Sequence, residues 1–272
     1  MLSILKSAFK SNSQEMGVVS HNIANTNSTG FKKSSTNFEH FYSRHTSNSP
    51  DTFSGLGVNL TSPRLNMAQG SLQKTDGALD LAITGQGFFT IAHPNQEDLP
   101  FFTRDGSFNI DSNGNVLTND GLMVMGFLAD ENGVVNKDII ENLIIPTTKV
   151  NKDGTNSILS NISVDNSGKI VATYGLDNEE TIGVFALSSF TNENMLTQIG
   201  NNRYRFNQNV GAPAFGIAMQ DNFGKIEAGN LERSNVDVTS EMITMLKAQQ
   251  AFSGVSRLLQ TEVDITKRLI DR

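Results

Sequence analysis

The side chains best able to do chemistry in this sequence fall into a few groupings, and each must meet a spacing that its chemistry imposes. Gly85-Gln86-Gly87 starts like a GxGxxG phosphate loop, but position 90 is Thr and no helical pattern follows, so a strand turn accounts for it better. Asp111-Ser112-Asn113-Gly114-Asn115 starts like a calcium loop. The glycine needed at its sixth place is Val116 and the bidentate acid needed at its twelfth is Leu122, so the calcium reading fails. Glu39, His40 and His45 around Phe41-Tyr42 could be drawn as a metal cluster. Their spacing matches neither a helical i, i+4 ligand pair nor a zinc ribbon, and solvated histidines fit an exposed segment. His21 stands beside Asn22 on a helix, at an interface or facing solvent. No Gly-x-Ser-x-Gly elbow occurs, and Asn27-Ser28-Thr29, a glycosylation sequon, falls in a helix-ending turn. Cysteine is absent, which excludes disulfides, thiolate metal sites and cysteine nucleophiles. The reading is therefore of a protein with no catalytic residue, no metal site and no cofactor.

What remains to be explained is the scaffold. The 272 residues suffice for one or two domains with a real core. A formal charge of -7 argues against a nucleic-acid partner and against an anionic membrane surface. Lys6 and Lys10 interrupt the apolar positions of the amino-terminal stretch before a signal-peptide core can form. No run approaches the roughly 18 apolar residues of a membrane span, so no membrane insertion is expected. A protein with these features that works outside the cytoplasm would leave by a route that cleaves nothing.

At the amino terminus, Leu2, Leu5, Phe9, Met16, Val19 and Ile23 are spaced by threes and fours, with Asn12 the polar member of the same seam. The helix should stop in the turn formers Asn25, Asn27 and Gly30, just before Phe31. The carboxyl terminus mirrors this arrangement. Asp237 is a helix cap, and Glu241 lies in the first turn, where the dipole favours a carboxylate. Two registers are then acceptable: Met245, Ala248, Phe252, Val255, Leu259 and Leu269, or Met242, Met245, Phe252, Leu259, Val263 and Ile270. The apolar face is thus wider than one two-helix seam needs. Asn12, Gln249 and Thr266 suggest register control by polar seam residues.

Between the helices the period changes to two. Leu79-Asp80-Leu81-Ala82-Ile83 alternates, and an Asp or Asn followed three residues later by Gly recurs at Asp111/Gly114, Asp130/Gly133, Asn151/Gly154, Asp165/Gly168 and Asp221/Gly224. These are hairpin turns between short strands. The fold class is α+β. Long terminal helices (1–33 and 230–272) pair with each other as a coiled coil, 34–69 is an extended connector, and 70–229 is an all-β domain.

Several stretches resemble the axial proteins of the bacterial flagellar rod and hook. Asn22 to Lys32 is similar to that family's "N-T-x-G-[FY]-K" signature. Gly70-Ser71-Leu72 with Asp80 to Phe89 resembles its central strand motif, and Thr103 to Phe108 its adjoining hairpin. Gly229 to Asp237 followed by Glu241-Met242-Ile243 and Gln249 to Phe252 resembles its carboxyl-terminal motif. The resemblance covers nearly the whole chain in the family's order. It implies D0-like helices lining a helical tube and a D1-like β domain outside them. It also implies export through the flagellar type III apparatus without cleavage, copies of itself and other rod and hook proteins as partners, a basal-body location, and no catalysis. Hook subunits usually carry an extra outer β domain for which this chain is too short, which favours a torque-transmitting rod subunit, distal before proximal. A short hook subunit is the alternative, since Phe41-Tyr42-Ser43 and Leu122 to Phe127 look as hook-like as rod-like. From another class, a trimeric adhesin-like or carbohydrate-binding β protein would carry similar helical ends.

Overall fold

The computed structural model describes residues 2–44, 53–94, 99–130, 133–137, 139–150, 156–175, 178–207 and 210–271. The chain is α+β and divides into two compact units. One takes residues 1–26, 33–66 and 236–272, and the other residues 27–32 and 67–235.

The first unit is built on two helices, α1 (Leu2–Ala24) and α2 (Val238–Ile270). They run antiparallel, as shown by Phe9 lying against Phe252 and Asn22 against Glu241. The Asp237 carboxylate starts α2 by accepting from the amides of Thr239 (3.0 Å) and Ser240 (3.5 Å), two of the donors that a helix start leaves without partners. Residues 34–66 are not the plain connector that their polar composition suggested. Ser34–Ser35 pairs with Arg64–Leu65, and Phe38–Arg44 forms an antiparallel ribbon with Phe53–Leu60. A lone ribbon is marginal in water. This one is tied to α1, where Ser7 Oγ accepts from the Val58 amide at 3.3 Å. Composition hid the ribbon because the stretch as a whole is rich in Ser, Asn and Gly. His45, one of the histidines considered above, lies outside the described residues.

The second unit is antiparallel throughout its main sheet. In spatial order the strands are Thr148–Val150, Asn156–Val164, Lys169–Tyr174, Asn178–Phe185, Met123–Leu128, Phe88–Ala92, Phe101–Thr103, Arg203–Arg205 and Thr197–Gly200. Its core gathers Leu81, Ile83, Phe89, Ile91, Val124, Phe185 and Ile226, all essentially inaccessible to solvent. Phe89 meets Phe108 edge to face at 5.0 Å, an arrangement favoured by the ring quadrupoles.

The hairpins share one device. The Gly114 amide donates to Asp111 O, Gly133 to Asp130 O and Gly168 to Asp165 O, and in each the turn's first amide bonds back across the ladder. These glycines stand at φ +85°, +75° and +76°, the left-handed conformation that closes such a turn without a Cβ clash. Gly121 closes the same turn on Thr118, with Asn119-Asp120 at its centre. Near Asp221 the turn is shifted by one residue, since the Phe223 amide donates to Gln220 O. Asn151/Gly154 lies outside the described residues. Gly85 and Gly87, both at positive φ, join Leu81–Thr84 to Phe88–Ala92.

Candidate functional site

In the helical unit, Glu241, Met245, Ala248, Phe252, Val255 and Leu259 form the less exposed stripe of α2, at alternating intervals of four and three. On α1 Val19 is buried, and Leu5, Phe9, Met16 and Ile23 are half-buried. The Phe9 and Phe252 rings lie 4.4 Å apart. Leu2, Met242, Val263 and Ile270 stay exposed, and the less exposed stripe follows the first register only as far as Leu259, since that register's Leu269 is exposed as well. Beyond that stripe Ile243, Leu246, Leu258 and Ile265 are exposed too, and Leu269 and Ile270 are 71% and 77% accessible.

Length explains part of this exposure. Counting outward from the Phe9–Phe252 contact places Leu2 roughly opposite Leu259, because seven residues of antiparallel helix have the same rise on both chains. The last turns of α2 therefore have no counterpart on α1.

Register is held by a polar layer that the heptads did not announce. Asn22, 1% exposed, donates through Nδ2 to Ser34 O (2.9 Å) and to Glu241 Oε2 (3.1 Å), while its Oδ1 accepts from the Ser34 amide (3.0 Å). Lys33 Nζ adds an ion pair to Glu241 Oε1 at 3.6 Å. The residues assigned this role from the seam fare differently. Gln249 and Thr266 are exposed and Asn12 is half-buried. Shifting Asn22 by one residue would strand three hydrogen-bonding groups in a buried place, and that penalty fixes the register.

The β unit holds a second constellation. Lys32, Arg104 and Glu232 are all buried. Lys32 Nζ donates to Glu232 Oε1 (2.7 Å) and to Ala68 O (3.0 Å), and the Gly70 amide donates to the same Oε1 (2.9 Å). Arg104 donates through Nη2 to Gly85 O (3.0 Å), pairs with Glu232 Oε2 at 3.6 Å and lies 4.9 Å from the Phe88 ring centroid. Backbone bonds close the group: Gly30 N to Glu232 O (2.7 Å), Arg233 N to Ser71 O (2.9 Å) and Asn235 N to Phe31 O (3.4 Å).

Two cations share one carboxylate here. Burial pushes the Lys32 ammonium below its ordinary value against the pull of Glu232, and Arg104 is lowered for the same reason. The carboxylate of Glu193 acts favourably on both cations, although burial raises its own pKa. Gly30 is explained by this packing and not by the helix end. It sits at φ +66°, six residues past α1, and a Cβ on it would fall 2.5 Å from the Asp105 amide nitrogen. A Cβ on Gly70 would fall 1.9 Å from Arg233 O.

Three stretches that looked like separate motifs thus meet at one point. Each contributes one buried charged residue (Lys32, Arg104 or Glu232), close in sequence to a glycine. Complementary charges in otherwise turn-like motifs were the available signal, and it was overlooked because a lone charge in a turn usually faces water. Among the described residues no group of three or more acidic or histidine side chains could hold a metal, and no helix is long and apolar enough to cross a membrane.

The chain is thus α+β, with paired terminal helices and an antiparallel β unit between them in sequence. The family description "Flagellar hook protein FlgE/F/G D1 domain" matches residues 82–172, and "Flagellar basal body rod FlgEFG protein C-terminal" matches 227–272. The flagellar basal-body rod protein FlgG of Buchnera aphidicola (subspecies Schizaphis graminum) is 31% identical, over 98% of this chain and 96% of the relative. The FlgG of Bacillus subtilis is 29% identical over 97% and 96%. The flagellar hook protein FlgE of Helicobacter mustelae is 43% identical, but over 43% of this chain and 28% of that protein. The chain belongs to the flagellar rod and hook family and is a structural rod subunit.

Proposed function

We propose that this rod subunit polymerises helically through its terminal helices, which pack as a coiled coil and offer their remaining apolar surface to neighbouring copies. The carrying observation is the exposed apolar face of α2 together with its unpaired last turns. Burying a Leu or Ile contributes roughly 1.5–3 kcal/mol, whereas ordering each residue's backbone costs about 1–2 kcal/mol, so a two-helix pair with one seam is marginal alone. Neighbours that cover the second face tip that balance. The contact is head-to-tail and propagates instead of closing.

In this reading the subunit is exported by the flagellar type III apparatus without cleavage. It assembles in the basal body with other rod and hook proteins and transmits torque without catalysis. The test is polymerisation of the full chain carrying Leu269→Asp and Ile270→Asp. Loss of sedimentable filaments with an unchanged β-unit circular dichroism signal supports the reading, and normal filaments overturn it. The hook alternative is favoured by the local 43% identity to a hook protein. Complementation separates the two readings, because a rod subunit restores swimming to a strain lacking its distal rod protein and not to one lacking its hook protein.

A further inference from the structure

We propose that the Lys32–Glu232–Arg104 cluster is a mechanical clamp, a force-bearing lock that protects the β unit when tension enters along the chain. The chain passes between the two units at four points, after residues 26, 32, 66 and 235. On the β-unit side, every one of these passages is bonded into the cluster within a few residues. Asn27 Oδ1 accepts from Arg233 Nη2 (3.2 Å). Lys32 is the cluster's ammonium. Ala68 O accepts both from Lys32 Nζ (3.0 Å) and from Asn235 Nδ2 (2.8 Å), and Gly70 N donates to Glu232 Oε1 (2.9 Å). Residues 232–235 complete the set through Glu232 and the Asn235 amide.

One carboxylate therefore ties three segments, 30–32, 68–70 and 232–235. A pull along any of them meets these bonds before it reaches the sheet. Depth makes the arrangement suited to load. Lys32 and Glu232 have side chains 1% and 0% exposed, so water cannot replace a breaking bond until a segment has already moved. Stability alone does not call for the charges, because apolar residues of similar volume often replace a buried ion pair at no thermodynamic loss. An apolar side chain at position 32 could fill the space, but it could not bond Ala68 O and Glu232 together. Tension is what distinguishes a tie from a filler.

The test is optical-tweezers unfolding of the full chain in two geometries. In one, handles sit on the two termini. In the other they sit on cysteines introduced at Asn113 and Asn166, exposed turn positions in a sequence that has no other cysteine. The helical unit opens first when the termini are pulled, and the β unit follows as a separate, higher-force event. Lys32→Met should lower the force of that second event in the terminal geometry and leave the turn-to-turn force unchanged. Equal losses in both geometries would reduce the cluster to general stabilisation, and no loss in either would dismiss it; both outcomes overturn the clamp. If Lys32→Met does not fold, Asn235→Ala, which removes one of the two donors to Ala68 O, is read by the same comparison. The proposal rests on the rod reading only for the source of the load. The measurement needs no assembly, so a failed clamp and a failed rod assignment are told apart.

Discussion

The helical unit and the β unit treat buried polarity in opposite ways. The helices keep one polar layer, Asn22 with Glu241 and Ser34, and leave much of their apolar surface in water. The β unit closes around a continuous apolar core and also encloses three charges, although side chains such as Val134, Ile158 and Met219 stay exposed on its surface. The first arrangement sets register without closing the structure, whereas the second closes it. A unit that is open by construction calls for neighbours; a unit that is closed can be carried by them as a finished part.

The largest effect should come from the helical seam. Phe252→Asp places a carboxylate where the Phe9 ring now lies 4.4 Å away, and a charge there has no partner. Incorporation into filaments, scored by electron microscopy, should be abolished while the β-unit unfolding transition stays in place. Normal incorporation would remove the seam from the assembly account.

Next in size is the β unit's own weak point. Glu232→Ala leaves Lys32 and Arg104 buried without their carboxylate, and breaking a buried pair in this way costs about 3–5 kcal/mol. Denaturant titration of the full chain reads this as an earlier β-unit midpoint. A shift of a few tenths of a kcal/mol would mean that the cluster is better hydrated than its burial implies.

How much of this contrast could be read from residues alone follows from the range of the interactions. The helices, the Asp237 cap and the Asp-to-Gly turns are local, set within a few positions by periodicity, capping and the left-handed glycine, and their places were legible. The Gly121 turn escaped the three-residue Asp-to-Gly spacing because Thr118 holds its first place, although Asn119-Asp120-Gly121 is itself a turn signature; the shift near Asp221 was not legible because Gln220 carries none. The ribbon of 38–44 and 53–60 was missed because its stretch reads as polar by composition, and a contact such as Ser7 with Val58 leaves no local mark in the sequence. The cluster joins residues 200 positions apart, and no local pattern reports that Lys32 meets Glu232. For the same reason no local pattern reports which unit the segments flanking the helices join. Residues 27–32 and 230–235 fold with the β unit, held by Phe31, Lys32 and Glu232.

The smallest effect concerns Asp105. Burial raises its carboxyl above the ordinary 3.8, Asp120 and Asp80 add to the rise, and hydrogen bonds from Ser107 oppose it. The folded state therefore favours the proton. Ionised Asp105 weakens the β unit at neutral pH, and that penalty fades as pH falls through the raised value, disappearing below 3.8. Asp105→Asn keeps an acceptor for Ser107 and should raise the thermal midpoint slightly at pH 7, with no difference from wild type near pH 3. A stabilisation that persists unchanged at low pH would have another cause.

The central claim is that one unit is complete in the monomer and the other is completed by its neighbours. Hydrogen exchange on dilute monomer and on assembled filament, compared residue by residue, tests it most directly. Exchange should be slow across the strands of the β unit in both states, with the amides of Gly30 and Asn235 protected alongside the sheet. It should be fast in α1 and α2 in the monomer, with strong protection of both in the filament. Helices as protected in dilute monomer as the β sheet, or Gly30 and Asn235 exchanging with the helices instead of with the sheet, would contradict the claim.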